Sequence, residues 1–141
     1  MQPALLDSSI YVSALRSEGA AVALERLTAG TRLWLSAVVL EELYAGAHEL
    51  QRGVVEQWQR DFDEVGRILV PNLSDWVDAG KVLRGLADEY DYEKIGRGRL
   101  TNDALVAMSA ARRGIRVITS NEKDFRRLAE FRSFEWQLVT L

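Results

Sequence analysis

Short apolar runs alternate along the chain with longer segments of helical periodicity. The runs predict buried strands at residues 4–6, 32–35, 67–70, 116–119 and 136–140. The periodic segments predict helices through residue 15, at 20–27, from Ser36, at 74–88 and 104–111, and after Asp124, whereas residues 49–64 are polar with spaced apolar residues. Strands that alternate with helices predict an α/β fold, with a three-layer α/β/α arrangement and a mainly parallel central sheet of about five strands.

Length and composition limit the kind of protein this can be. We expect residues 1–141 to form a single domain, because the chain is too short for two ordinary cores. The absence of cysteine excludes disulfides, thiolate metal sites and a cysteine nucleophile. We also expect a soluble, cytoplasmic protein, because we find neither the features of a signal peptide nor a run of roughly 20 apolar residues.

The chain has a single histidine, His48. Ribonuclease chemistry without a metal usually needs two imidazoles, one as base and one as acid. That mechanism is therefore disfavoured, and we expect His48 to lie on the surface near the end of an apolar helix, where its charge is favourable.

Four acidic residues lie at notable places in the predicted fold. Asp7 follows the first strand, Glu42 lies on the helix after the second, Asp103 is predicted to cap the apolar helix with Thr101 and Asn102, and Asp124 follows the fourth strand. An α/β sheet gathers its ligands at the carboxyl ends of its strands. Taken singly, three of these acids also have structural interpretations: Asp7 as a helix cap, Asp103 as a first-turn charge and Asp124 as a helix start.

Glu42 is harder to explain structurally, because the residues three and four positions away are apolar or small. A carboxylate on such a face needs a partner. Gly46, one turn later, lowers helix stability by about 1 kcal/mol relative to alanine, which a close approach of another chain segment or of substrate would explain. Glu41 lies on a different face, and we expect it to be solvated.

If these carboxylates converge, their mutual repulsion favours a bound cation. Ligand sets made only of oxygen select hard ions, so Mg²⁺ or Mn²⁺ is expected. The chemistry implied is metal-assisted hydrolysis of phosphodiester bonds.

Four segments together carry a resemblance to a known family. They are LLDSS at residues 5–9, SAVVLEELYAG at 36–46, TNDALVA at 101–107 and TSNEKDF at 119–125. In these motifs, in their order and in its length, the chain resembles the PIN-domain family over essentially its whole extent. The resemblance implies a PIN-like, Rossmann-like fold.

The resemblance also implies roles for individual residues. It places Asp7, Glu42, Asp103 and Asp124 in an acidic catalytic pocket that holds Mg²⁺ or Mn²⁺, with Ser9 and Thr119 as polar supports. Some relatives carry aspartate where this chain has Asn121, which leaves open whether Asn121 or Asp124 lies nearer the metal. We rank Asp124 first and treat Asn121 as a substrate-contacting or supporting residue.

Free-standing PIN domains of this size resemble VapC-type toxins of VapBC toxin–antitoxin systems. This implies an endoribonuclease that cuts structured RNA, such as transfer or ribosomal RNA, and is silenced by an antitoxin protein. Tyr11 and Leu15, with the apolar residues of 20–27, are the candidate groove for the antitoxin helix. A homodimer is equally expected.

The charge distribution modifies the RNA hypothesis. A net charge of −3 argues against broad affinity for nucleic acid. Between residues 94 and 127, however, nine residues are basic and only three are acidic. The glycine-flanked Arg97 and Arg99 are the candidate RNA contacts, whereas Arg112 and Arg113 are expected to stabilise a helix end.

Three alternatives stay open at this point. One is a non-catalytic PIN-like module that binds RNA or protein. Another is a phosphotransfer receiver-like domain, which also gathers acids at strand ends but leaves Glu42 without a role. The last is a metal-dependent DNA nuclease of related fold, which would use the same acids.

Overall fold

A computed structural model describes residues 2–90 and 97–141 of the chain, and of residues 97–99 the backbone only. The strands are β1 (Pro3–Leu6), β2 (Arg32–Ser36), β3 (Ile68–Leu69), β4 (Arg116–Thr119) and β5 (Trp136–Leu138). The helices are α1 (Ser8–Arg16), α2 (Glu18–Thr28), α3 (Ala37–Gly46), α4 (Glu49–Glu64), α5 (Leu73–Tyr90), α6 (Arg97–Arg113) and α7 (Glu122–Phe131).

The five strands form one parallel sheet in the order β3-β2-β1-β4-β5. Helices cover the sheet, giving the three-layer α/β/α arrangement predicted from the alternation of apolar runs and helical segments. This strand order reverses direction at β1, and open α/β sheets bind ligands beside such a reversal. In the described parts of the chain, no helix combines the length and apolarity needed to cross a membrane.

The core forms where the apolar runs predicted it. Leu5 and Leu6 of β1 pair with Val117 and Ile118 of β4, and all four side chains are almost completely buried. The backbone N–H of Asp7 then donates to the carbonyl of Ile118 at 2.9 Å. The parallel pairing therefore continues to the point where β1 turns into α1, and it fixes Asp7 beside the end of β4.

Helix ends follow the chemistry of their sequences. Asp7 caps α1 and Ser36 caps α3, and the Ser36 hydroxyl accepts from the amides of Val38 and Val39. Gly30 and Gly114, which follow α2 and α6, have φ angles of 77° and 65°. Such angles favour glycine, and a glycine directly after each of these helical segments also predicts from sequence that the helix ends there.

Helix α6 begins earlier than predicted. It starts at Arg97, so Thr101, Asn102 and Asp103 lie within the helix and do not cap it. Leu100 is completely buried, and this burial favours helical backbone one turn before the predicted start. The sequence of residues 92–99, which contains two glycines, predicts a loop. Residues 92–96 lie outside the described part, and residues 97–99 are helical.

Helix α7 also starts before the predicted position. Asn121 caps it, and Asp124 lies in its first turn. Strands β3 and β5 end earlier than expected, whereas α5 extends further at both ends. Such differences arise because isolated periodicity does not mark the residues that tertiary contacts hold in helix or strand.

The aromatic residues pack largely in the interior. Trp34 lies within one predicted strand and Trp136 starts another, which favours a core position for both, and both are partly buried against the core. Tyr11 is also buried, with 3% of its surface exposed, and its ring lies 4.9 Å from that of Trp58 on α4. The prediction that Tyr11 lines a surface groove is therefore wrong, because α4 covers it.

Candidate active site

An acidic cavity of about 350 Å³ opens at the carboxyl ends of β1 and β4, where the strand order reverses. Three carboxylates from three different elements line it: Asp7 after β1, Glu42 on α3 and Asp103 on α6. The rest of its lining is mostly polar, and consists of Ser8, Ser9, Val12, Ser13, Arg16, Ser120 and Asn121. Parallel strands thus bring together residues that are far apart in sequence.

Asp7 is held by several hydrogen-bond donors although only 4% of its surface is exposed. The amide of Ser9 donates to Asp7 Oδ1 at 2.7 Å, and the Ser9 hydroxyl donates to Oδ2 at 3.2 Å. The hydroxyl of Thr119 donates to the same Oδ2 atom from the end of β4. These contacts, from the amide and hydroxyl of Ser9 and from the hydroxyl of Thr119, fix the orientation of the Asp7 carboxyl group.

Glu42 is half-buried on the side of α3 that faces the cavity. Burial raises the pKa of its carboxyl group, and the nearby charge of Asp7 raises it further. Hydrogen bonds from Asn102 and Ser8 oppose this rise in pKa. Glu41 is exposed, as predicted. Two acids are therefore close enough to repel each other at the wall of the cavity.

Asp103 reaches the cavity from the interior of α6. Asp103 is 7% exposed. Together with Asp7 and Glu42 it gives three buried or half-buried acids at this edge of the sheet. Because Asn102 precedes it and hydrogen-bonds Glu42, α6 supplies both an acid of the cavity and a support for a second acid.

Asp124 and Asn121 form a pair at the start of α7. The amide Nδ2 of Asn121 donates to Asp124 Oδ2 at 3.0 Å, and Asn121 Oδ1 accepts from the Asp124 backbone amide at 3.4 Å. Asn121 lines the acidic cavity, whereas Asp124 is not among its lining residues. The structure therefore brings three of the four predicted acids to one cavity and joins the fourth through Asn121.

The donor set suits a hard cation, because every candidate ligand is an oxygen. Within residues 2–90 and 97–141, no three acidic or histidine side chains already form a ready-made metal-binding group. The acids line one cavity without closing on an ion. This is compatible with Mg²⁺, which commonly keeps several waters and uses one or two carboxylates.

Two smaller predictions concern Gly46 and His48. A Cβ atom at Gly46 would meet no atom within 4 Å, so no other segment of the described chain approaches it closely. Of the two explanations offered for this glycine, only the approach of a substrate stays a prediction. His48 is exposed, as predicted, and it follows the apolar helix α3, which ends at Gly46. It is also the N-cap residue of α4, where Gln51 Oε1 accepts from the His48 amide at 3.2 Å. A positive charge is favourable at the end of α3 but unfavourable at the start of α4, so the expected charge effect stays a prediction.

A second cavity of about 170 Å³ adjoins the acidic cavity between α1, α3 and α4. Leu15 lines it, as expected for the predicted groove, but its other walls come from α3 and the start of α4 and not from residues 20–27. Val12, Arg16 and Glu42 line both cavities. These three residues mark the boundary through which the two cavities meet.

Sequence reasoning missed three residues of the acidic cavity and its surroundings: Ser8, Arg16 and Asn102. Ser8 and Asn102 were missed because both act by hydrogen bonding to Glu42, which needs tertiary contact. Arg16 had a detectable signal. It lies seven positions after Ser9, and this spacing places both on one face of a helix. The side chains of the predicted RNA contacts Arg97 and Arg99 lie outside the described part.

The PIN domain family model matches residues 4–131, and the chain therefore belongs to the PIN domain family. This membership excludes the receiver-like alternative. No curated protein matches the sequence significantly.

Solved structures share this fold. VapBC2 from Rickettsia felis, bound to a DNA fragment from its promoter, matches with a TM-score of 0.66 and 22% identity over 99% of this chain and 100% of that chain. DNA-bound VapBC from Salmonella typhimurium matches with a TM-score of 0.72 and 20% identity over 97% of this chain and 98% of that chain. VapBC-1 from nontypeable Haemophilus influenzae matches with a TM-score of 0.63 and 23% identity over 97% of this chain and 98% of that chain.

Proposed function

We propose that this protein is a metal-dependent endoribonuclease that hydrolyses RNA phosphodiester bonds and acts as the toxin of a toxin–antitoxin pair. The observation that supports this best is the convergence of Asp7, Glu42 and Asp103 from three elements onto one cavity. They converge at the strand-order reversal of a PIN domain. Family membership alone would not identify which acids act together.

The proposed cofactor is Mg²⁺ or Mn²⁺, held by Asp7, Glu42 and Asp103. When bound, such an ion activates water and stabilises the charge that develops on a phosphate. Asp7 is preoriented by Ser9 and Thr119, and Glu42 is held by Asn102 and Ser8. Asp124 is proposed to act through Asn121, with which it forms a hydrogen bond.

An antitoxin partner is proposed from the fold likeness to proteins that crystallised as VapBC assemblies. The partly apolar cavity beside Leu15 is the proposed contact for an antitoxin helix. A homodimer is proposed as well. Val70, Leu73, Trp76 and Val77 are exposed near the start of α5, and such apolar clusters commonly mark contacts between proteins.

The first test is cleavage of a mixed RNA pool by purified protein free of antitoxin, with Mg²⁺ or Mn²⁺ and with EDTA. We expect cutting that requires the metal and falls by more than about 100-fold in Asp7→Asn. Asparagine also caps helices well, so the fold of this variant should be retained and its circular dichroism should match wild type. A parallel DNA pool separates the ribonuclease from the DNA nuclease.

A non-catalytic binding module is the second candidate. It is favoured by the observation that Asp7 and Glu42 already have hydrogen-bond partners within the protein. This candidate predicts RNA or protein binding that EDTA and Asp7→Asn leave unchanged. Folded protein that binds RNA but cuts neither pool with either metal would contradict the nuclease.

A further inference from the structure

The acidic cavity contains a basic group that the proposed chemistry has not yet used. Arg16 lines it together with Asp7, Glu42 and Asp103, and it is the basic side chain among the described residues that do so. A phosphodiester entering this cavity meets three carboxylates. A divalent ion offsets part of that repulsion, and a guanidinium at the same wall offsets more.

The position of Arg16 follows from the geometry of α1. Ser9, Val12, Ser13 and Arg16 all line the cavity, and their spacing of three, four and seven residues places them on one helix face. Asp7 precedes this helix as its cap. The helix that fixes the first acid therefore also fixes the direction in which Arg16 extends.

Arg16 is exposed, and in the described ranges it forms no ion pair with an acidic side chain. Arg112 provides a contrast, because its Nε lies 3.0 Å from Asp75 and is already engaged. The guanidinium donors of Arg16 are thus available to an incoming anion. Arg16 also lines the second cavity, so it stands at the boundary between the two.

We propose that Arg16 is a substrate-binding residue that binds an RNA phosphate at the opening of the acidic cavity. It thereby positions the RNA backbone near Asp7 and Asp103. This inference rests on the proposed ribonuclease function. A guanidinium fork matches two phosphate oxygens, which makes arginine more effective here than lysine. Arg16 also lies in the last turn of α1, where any cation stabilises the helix end, and the test separates the two roles.

The test measures binding of a fluorescent single-stranded RNA by anisotropy, using Asp7→Asn protein so that the RNA stays intact. Arg16→Ala is added to this background, beside Arg16→Lys, Arg16→Gln and Arg26→Ala. Arg26 is a matched control, because it is an exposed arginine on the neighbouring helix α2 and lines neither cavity. Thermal melts confirm that each variant is folded, and Arg16→Gln replaces Arg16→Ala if that variant does not fold.

We expect Arg16→Ala to weaken RNA binding about tenfold, which is typical of losing one charge-assisted contact. The slope of log K against log salt should fall by about 0.7, the value for one phosphate on a single strand. Arg16→Lys should restore the slope but not the full affinity, and Arg26→Ala should change neither. In otherwise wild-type protein, Arg16→Ala should raise KM about tenfold and change kcat much less.

Equal affinity and equal salt slope for Arg16→Ala and Arg26→Ala would overturn this inference while leaving the nuclease intact, provided that wild type cuts RNA. Weakened antitoxin binding with unchanged RNA binding would also overturn it and assign Arg16 to the partner. If wild type neither cuts nor binds RNA, the proposed function itself fails, and the role of Arg16 fails with it.

Discussion

Two buried aspartates near residues of α6 have very different surroundings. Asp75, on α5, is 1% exposed, and Arg112 Nε lies 3.0 and 3.1 Å from its two oxygens. The backbone amide of Asn72 adds a third contact at 2.9 Å. Asp7 is 4% exposed, but its donors are hydroxyls and an amide, and it faces a cavity that also contains other acids.

The difference shows that the partners of a buried acid indicate its role better than burial does. A cation supplied by the protein neutralises Asp75 and links α5 to the end of α6. The donors around Asp7 fix its orientation but supply no full positive charge. An acid such as Asp75, which is paired with a cation of the protein, stabilises the fold. An acid such as Asp7, which is held only by neutral donors, can still bind an ion from solution.

The largest expected effect comes from breaking the Asp75 pair. Arg112→Ala leaves a buried carboxylate without its cation, so the free energy of unfolding should fall by about 3 kcal/mol. Urea unfolding measures this loss. Cleavage per folded molecule should stay near wild type at low temperature, because Arg112 does not line the acidic cavity.

Arg84→Ala is the matched control for this change. Arg84 lies 2.6 Å from Asp88, but their side chains are 78% and 61% exposed. Exposed pairs contribute at most about 1 kcal/mol, so this variant should remain close to wild type in stability. Equal losses in the two variants would show that the burial of Asp75 is not what makes its pair important.

Glu42→Gln should have the opposite effect to Arg112→Ala, because it should lower activity and not stability. Cleavage should fall by roughly 100-fold, while stability measured in EDTA should be unchanged or higher. Because burial and Asp7 raise the pKa of Glu42 in the fold, the ionised carboxyl disfavours folding. This penalty is absent below the unfolded-state pKa, and it grows as the pH rises through the raised pKa. Glutamine removes it.

Thermal melts across pH in EDTA, with parallel cleavage assays, measure both parts of this prediction. Glu41→Gln is the control, because Glu41 is the exposed neighbour on the same helix and should affect neither quantity. A clear loss of stability in metal-free Glu42→Gln would place Glu42 with Asp75 as an acid that the fold requires.

Asp124→Asn should give the smallest change of the three. Asp124 is half-buried, and its side chain contacts the amide of Asn121, which itself lines the cavity. Residues that orient a metal ligand from behind typically alter metal affinity or activity by about 10–100-fold, and we expect the lower end of that range. A loss of kcat/KM as large as that of Glu42→Gln would instead make Asp124 a direct ligand.

Local sequence determined much of the architecture. The run from Ala4 to Leu6 and the strand around Val117 were recognisable because a fully buried strand needs apolar side chains on both faces. The caps Asp7 and Ser36 and the glycines at 30 and 114 were also identifiable, because they satisfy backbone requirements within a few residues of themselves.

Tertiary structure decided the composition of the acidic cavity. Leu100, in the first turn of α6, is completely buried, and because α6 starts at Arg97, Asp103 lies inside a helix. The choice between Asn121 and Asp124 at the cavity depended on the path of the chain from β4 into α7.

The ion pair of Asp75 and the position of Arg16 show the same limit of local sequence. Asp75 and Arg112 are 37 positions apart in the sequence. Arg16 and Asp103 are also distant in sequence, and they come together because both line the acidic cavity. The sequence by itself determined the helices, the strands and which acids were candidates, because periodicity and capping are short-range. Only packing decided which of those acids share a cavity and which has a cation of its own, because such distances depend on the whole fold.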